Sequence, residues 1–300
     1  MSDYIISVEG TQTGAYIAMG LALFAALSHA LFGALQKGRY DPWLSRGAMD
    51  LAYFLIALPC ALFVVPWPEP HMWPIFAGVW LIHVGYKILQ GYAYVKGAYT
   101  VVYPVVRGTG PFFTVLGAYL VFGETFAILQ WVGVLVLMAG IFGLAAYNLR
   151  HVTLDRDALP LALGLAVATG LFAALYTTYD AYGIRSTTDP FTFLAWFFVI
   201  DGWTFPIVAA VRWRRMEHRP PLPGLAVRGL FGGCVAMASF GSVMMATRLD
   251  KVGEAAVLRE TSTVFAALIG WLVLKERVGP VRTALMGVIA AGAVIVEFAG

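Results

Sequence analysis

The sequence predicts an all-α membrane protein with ten transmembrane helices, built as two inverted five-helix repeats. Three observations carry this reading. Apolar residues make up 60% of the chain and charged residues only 12%, with a mean hydropathy of +0.77, whereas soluble domains are about 25% charged. Ten stretches reach the ~20 mostly apolar residues that crossing a bilayer requires. Residues 101–140 also overlay 253–292 without a gap, and 11 of the 40 positions are identical.

Apolar composition alone yields scattered matches. It rarely brings Arg107 onto Arg259, Thr109 onto Thr261 and Glu124 onto Glu276 in one register. A further overlay, 20–31 on 164–175, has six identities, and Leu51-Ala-Tyr-Phe resembles Leu194-Ala-Trp-Phe. The two copies are bounded at 14–147 and 159–299. Five spans is an odd number, so the copies insert upside down relative to each other, and a binding site belongs near mid-bilayer where they meet.

Taken in order, span 14–35 carries His29, on one face with Gln36. Span 47–65 contains Cys60 and span 225–247 contains Cys234; these cysteines lie in different halves and read as small apolar residues. Span 73–95 presents His83, Lys87 and Gln90 at i, i+4 and i+7, with Tyr86 beside them. Span 99–121 presents Tyr99, Tyr103 and Arg107 at steps of four, and Pro104, Gly108, Gly110 and Pro111 predict a break or kink around Arg107. A break at that depth is tolerated only where protein or a cavity covers it. The turn Gly123-Glu-Thr leads into span 126–147, and Glu124, like Glu276 in the second copy, reads as a cap of the helix that follows. Span 159–181 places Tyr176, Tyr179 and Asp180 on one face, and span 191–211 carries Asp201 at mid-helix. Span 254–273 holds Arg259 and Glu260, read as an internal pair, and span 281–299 ends near Glu297, read as solvated.

An ionisable side chain at the centre of a spanning helix costs at least ~2.5–3.5 kcal/mol on insertion scales, so each should face a partner or a wet cavity. The candidate substrate-binding residues are therefore Arg107, Tyr103, Tyr99, His83, Lys87, Tyr86, His29, Tyr176, Tyr179, Asp180, Arg259 and Glu260, with Asp180, His29 and Asp201 as candidate coupling residues. Plainer roles stand beside these. Lys87 could snorkel, His29 could donate to a backbone carbonyl, and Arg107 could form a structural pair with Glu260 or Asp180. A cavity lined by these groups is mildly basic yet holds both signs among aromatic rings, which suits a zwitterion or small organic anion better than a lipophilic cation. No HExxH, cysteine pair or Ser/His/Asp spacing nominates an enzyme, and no metal or cofactor is expected.

The basic residues lie mostly in short loops, where topology rather than nucleic acid explains them. Fourteen Lys and Arg residues, Arg46 among them, fall on the face opposite the termini, against Arg185, Arg248 and Lys251 on the terminal face. The positive-inside rule then places the termini outside the cytoplasm. Residues 1–13 contain no Lys or Arg, so they lack the basic start of a signal peptide and read as uncleaved.

Three segments carry a family resemblance: Tyr103-Pro-Val-Val-Arg-Gly-Thr-Gly-Pro111, Gly117-Ala-Tyr-Leu-Val-Phe-Gly-Glu124 and Gln130-Trp-Val-Gly-Val-Leu-Val-Leu-Met-Ala-Gly140. They resemble the fourth and fifth helices of EamA-type carriers of the drug/metabolite transporter superfamily. Leu258-Arg-Glu-Thr-Ser-Thr263, Trp271-Leu-Val-Leu-Lys-Glu276 and Ala291-Gly292 resemble the same domain a second time. The resemblance implies ten helices around a central cavity and a secondary transporter working by alternating access in the bacterial inner membrane. It does not specify the substrate; the charge of the lining points to a small polar metabolite, with a proton carried by Asp180 or a histidine as candidate coupling, and the expected surroundings are the lipid bilayer with the protein a monomer or homodimer. A flippase for a lipid or lipid-linked sugar is the alternative. Relatives tend to keep both termini in the cytoplasm, so the charge tally departs from their pattern.

Overall fold

The computed structural model describes residues 2–36, 40–96, 99–151, 159–272 and 279–299, without side chains at 33–36, 99–101, 151, 267 and 270–272. Every regular element among them is helical. After the short α1 (Ser2–Val8) come α2 (Gln12–Gln36), α3 (Pro42–Phe63), α4 (Met72–Lys96), α5 (Tyr99–Phe122), α6 (Ile128–His151) and α7 (Leu159–Ser186). They are followed by α8 (Pro190–Gly202), α9 (Thr204–Arg215), α10 (Leu222–Leu249), α11 (Val252–Arg259), α12 (Ser262–Leu272) and α13 (Pro280–Phe298). Among the described residues, nine segments are long and apolar enough to cross a membrane, with α8 and α9 together making one of them. The predicted span 254–273 falls outside that set because α11 and α12 are separated at Glu260 and Thr261.

Local chemistry explains where helices start and stop. Asp41 caps α3, accepting from the amides of Trp43 at 2.9 Å and Leu44 at 3.3 Å, and Asp189 caps α8 through the Phe191 amide at 2.9 Å. Proline opens α3, α8 and α13, where its missing N–H has no helical partner to lose. Gly123 ends α5 with a positive φ of 68°. Its amide meets the Tyr119 carbonyl at 3.0 Å and the next amide meets the Ala118 carbonyl at 3.3 Å, a turn that favours glycine.

Two sequence expectations need correction here. The helix α5 runs unbroken through Pro104, Gly108, Gly110 and Pro111. The discontinuities lie instead in the second half, at Trp203 and at Glu260–Thr261. Glu124 does not cap the helix after its turn. Its carboxylate accepts from the amides of Val252 at 3.0 Å and Gly253 at 3.2 Å, which open α11 in the other half. Glu276 lies outside the described residues.

The main helix packings are α2 on α10, α4 on α7, α5 on α7, α2 on α11 and α12, α3 on α8, α9 and α10, and α6 on α13. Small residues allow the closest approaches. A Cβ placed on Gly292 of α13 would lie 2.5 Å from the Leu137 amide nitrogen and 2.7 Å from the Gly133 carbonyl oxygen, so α6 and α13 touch backbone to backbone. Large apolar side chains such as Leu120, Leu135 and Val227 point outward. The buried ionisable side chains gather in two places where the two halves meet.

Candidate functional site

The first cluster surrounds a small central hollow. His29 and Phe32 of α2, Arg46 of α3, Tyr86 and Gln90 of α4, Tyr103 and Arg107 of α5, Tyr176 of α7, Phe240 of α10 and Glu260 line a cavity of about 30 Å³. A second hollow of about 20 Å³ adjoins it beyond Arg107, Tyr176 and Glu260, and includes Thr177 and Arg259. A single water needs about 10–15 Å³ by this measure, so the space is contracted around a few small molecules at most.

Arg107 is held at the waist of this space. Its Nε lies 2.8 Å from Glu260 Oε2, and its Nη2 donates to Ser262 Oγ at 3.0 Å and to the Arg259 carbonyl at 3.1 Å. That carbonyl ends α11 and lacks a helical donor, so the guanidinium satisfies the break as well as the carboxylate. Arg259 is treated differently. Glu260, expected to pair with its sequence neighbour, turns to Arg107 instead. Arg259 Nη1 donates to Tyr176 Oη at a long 3.4 Å and its guanidinium sits over the Phe240 ring at 4.9 Å, while its Nε and Nη2 meet no hydrogen-bond partner among the described residues. The side chain is nonetheless buried. His29 is also buried and lines the hollow, with Nδ1 unpartnered among the described residues. Two arginines against one glutamate leave the hollow with an excess positive charge and free donors aimed at it.

The second cluster is continuous and shares Arg46 with the lining of the hollow. Arg46 Nε meets Asp50 Oδ1 at 2.9 Å, Asp50 Oδ2 meets Lys87 Nζ at 2.7 Å, and Lys87 Nζ meets Asp201 Oδ1 at 2.8 Å. Tyr53 donates to Asp201 Oδ2 at 2.6 Å and accepts from Lys87 at 3.0 Å. His83 continues the row, with Nδ1 3.4 Å from Asp201 Oδ1 and Nε2 2.9 Å from Asp180 Oδ2. Lys87 also donates to the Asp201 carbonyl at 3.0 Å, close to the end of α8. Each discontinuity in the second half is thus met by a cation from the first half.

Further arginine contacts tie the loops near Glu9, Glu124, Thr187 and Asp250 together. Arg185 joins Glu124 at 3.2 Å and the carbonyls of Thr247 at 2.8 Å and Asp250 at 2.7 Å. Arg248 joins Glu9 and the Thr187 carbonyl. In the adjoining loop, burial pushes the Glu69 carboxyl up, but hydrogen bonds from the Thr188 hydroxyl and amide and from Thr187 outweigh it and hold it at about 2.

Of the residues proposed from sequence, His29, Tyr86, Tyr103, Arg107, Tyr176, Arg259 and Glu260 surround the hollow. His83, Lys87, Asp180 and Asp201 belong to the ion-pair row, so the stripe on α4 divides between two neighbours. Tyr179 packs against Gly78, outside the lining. The Tyr99 side chain lies outside the described residues. Lys87 does not snorkel; it is buried and fully engaged. Asp50, Arg46 and Tyr53 were missed. Arg46 counted as a loop charge in the orientation tally, yet the i,i+4 spacing of Arg46 and Asp50 at the start of an apolar span was a readable signal. Cys60 and Cys234 are free and exposed.

Residues 160–298 match the family model described as the EamA-like transporter family. That stretch is similar to the EamA-like transporter family and supports a multi-pass membrane transporter, in line with the nine long apolar segments among the described residues. One solved structure, titled only "Crystal structure of protein", superposes on this chain with a TM-score of 0.70 at 16% identity, over 96% of this chain and 99% of the other. At that identity the likeness speaks for the fold alone. No curated protein matches the sequence.

Proposed function

We propose that this EamA-type transporter carries a small polar metabolite bearing an anionic group across the bacterial inner membrane by alternating access. An amino acid, another zwitterion or a small organic anion fits that description. The observation that carries this reading is Arg259, a buried guanidinium with two donor atoms unpartnered among the described residues, facing a hollow whose other charges do not cancel it. Unsatisfied buried donors are costly, and an arriving carboxylate supplies the missing acceptors as a charge-assisted pair. Arg107, held by Glu260 and the Arg259 carbonyl, sets the position of this group. Tyr86, Tyr103, Tyr176 and Phe240 supply ring faces and hydroxyls for the rest of the substrate.

The scaffold in this proposal is ten spans in two inverted repeats, 14–147 and 159–299, with α11 and α12 together as one broken span. The helix neighbours support it. Exchanging the halves maps the α4–α7 packing onto α2–α10 and the α5–α7 packing onto the contact of α2 with α11 and α12, while α6–α13 maps onto itself. Arg107 touches the backbone of Arg259, its own counterpart in the overlay. Closure of the terminal face by Arg185 and Arg248 supports a state shut on that side.

The flippase reading has one observation behind it, an apolar groove of about 790 Å³ between α3, α9 and α10. It shares no lining residue with the polar hollow, so a lipid lying there would not reach the free arginine. A thermal-shift screen of the protein in detergent tests the choice. Amino acids or organic acids are expected to raise the melting temperature, and Arg259→Gln to abolish the shift while leaving the unliganded melting temperature nearly unchanged. Shifts confined to quaternary cations, or unaffected by Arg259→Gln, overturn the proposal.

A further inference from the structure

A groove of about 790 Å³ runs down the outside of the molecule over α3, between α9 on one side and α10 on the other. Its floor is one face of α3, where Leu44, Gly47, Leu51 and Leu55 follow each other at helical spacing. Both α9 and α10 pack on α3, and small residues, Ala210 on one wall and Ala226 on the other, hold the slot between them open. Gly47 seats α9 directly on the floor, since a Cβ there would lie 2.3 Å from that of Ala209. Leu51, Leu55, Val227 and Leu230 leave the slot apolar and open to the outside.

The two ends of the groove differ. Toward mid-span it stops at Ile56 and Leu230, whereas at the other end stand Trp213 and Arg214 beside Leu44 and Leu222, where α3 and α10 begin and α9 finishes. From Leu44 to Ile56 is twelve helical steps, about 18 Å at ~1.5 Å each. That is a little over half of the ~30 Å hydrocarbon thickness of a bilayer. The groove is therefore as deep as one leaflet, and its mouth lies where that leaflet meets water.

The mouth is basic. Residues 212–219 include four arginines and one glutamate, and Arg212, Arg214 and Arg215 fall in the last turn of α9. Arg212 is taken by Asp41, whose Oδ2 it meets at 2.6 and 2.9 Å. Arg219 donates to the Arg214 carbonyl at 3.0 Å and lies over the Trp213 ring at 4.8 Å, which folds it back toward the groove. Arg214 is exposed and lines the groove itself. Cations at a helix C-terminus complement its dipole, but that role requires no leaflet-deep apolar slot beneath them.

We propose that the groove holds a resident anionic phospholipid, with one acyl chain along α3 between α9 and α10 and the phosphate at the mouth between Arg214 and Arg219. The guanidinium fork matches phosphate oxygens, and clustered basic residues beside a spanning helix attract anionic lipid. A zwitterionic lipid would bring an ammonium into a mouth already positive. A second copy of the chain packed symmetrically here would set its own arginines against these. The lipid is a fixture and not cargo, because the groove reaches through one leaflet only and shares no lining residue with the polar hollow. This inference goes beyond the carrier reading and stands without it.

Native mass spectrometry of the full chain, released from bilayers of equal phosphatidylglycerol and phosphatidylethanolamine with matched acyl chains, reads the occupant directly. One phosphatidylglycerol is expected to remain on each chain, in several-fold excess over phosphatidylethanolamine. Arg214→Gln with Arg219→Gln is expected to cut its retention more than tenfold, at about fivefold for each arginine. Ala226→Trp, on an exposed wall, is expected to expel it with the arginines intact. Added phosphatidylglycerol should raise the melting temperature of the unmodified protein in detergent and leave both variants, which still melt cooperatively, unmoved. Equal retention of the two lipids, or retention unchanged in either variant, overturns the proposal. So does a dimer mass that Ala226→Trp disperses, which assigns the groove to a second copy. In proteoliposomes with tail-labelled fluorescent phosphatidylglycerol, external dithionite is expected to bleach only the outer leaflet's share; complete bleaching makes the lipid cargo and overturns its residence.

Discussion

Two buried clusters in this protein use the same device with different balance. In each, a cation of the first half reaches across to a carbonyl at or near a helix discontinuity in the second half: Arg107 to Arg259 and Lys87 to Asp201. Around Arg107 the bases outnumber the acid, hydrogen-bond donors go unmet, and a hollow remains. Around Lys87 the ammonium is fully engaged and the surplus is of acids. The comparison teaches that burial of charge alone does not mark a binding site. What separates a ligand pocket from a structural row is which hydrogen-bond donors remain unmet among the described residues.

The comparison breaks most visibly if the ion-pair row proves dispensable. Lys87→Met leaves Asp50 and Asp201 buried without their shared partner and is expected to destabilise the protein by about 3–5 kcal/mol, the usual consequence of removing one member of a buried pair. Unfolding in denaturant should show it, whereas Arg259→Gln, on the other side of the comparison, should change ligand binding and hardly move the unfolding midpoint. A smaller effect sharpens the picture. Tyr53→Phe removes one hydrogen bond to Asp201 and one acceptor for Lys87, and about 2 kcal/mol of destabilisation is expected from hydrogen bonds to charged groups. Equal stability of the phenylalanine variant would mean that Asp201 is satisfied without the hydroxyl.

The smallest expected effect comes from a charge outside both clusters. Glu69 is held at about 2, below its ordinary value of 4.5, by Thr187 and Thr188. A carboxyl depressed in the folded protein stabilises it above its unfolded value and ceases to do so as pH falls through its folded one. The contribution of Glu69 should therefore be complete above pH 4.5 and fade toward pH 2. Since the group is partly solvated, the Glu69→Gln change is expected to stay under about 1 kcal/mol, visible as a small midpoint shift at neutral pH that disappears in acid.

Much of the fold was legible because hydropathy is a local property. The positions of the long helices, the turn at Gly123 and the apolar exterior follow from runs of neighbouring residues. The helix breaks were not, since Pro104 and Pro111 suggested one in α5 where the structure has none, and Glu260–Thr261 contains neither proline nor glycine. Arg107, Arg259, Tyr103, Tyr176 and His29 could be nominated from their polarity within apolar spans. Their division of labour could not, because Glu260 could reach either arginine and only its side-chain direction settles which.

By itself the sequence determined that this chain lives among helices in lipid, that one stretch of it repeats, and that a few ionisable groups sit where lipid will not tolerate them. Tertiary structure decided which of these cancel. His83 meets an aspartate 97 positions away and Lys87 one 37 positions away, while Arg259 is left with donors to spare. Hydrophobic burial acts on each residue in turn, and charge cancellation acts on pairs a few ångströms apart, so the first can be read along the chain and the second only across it.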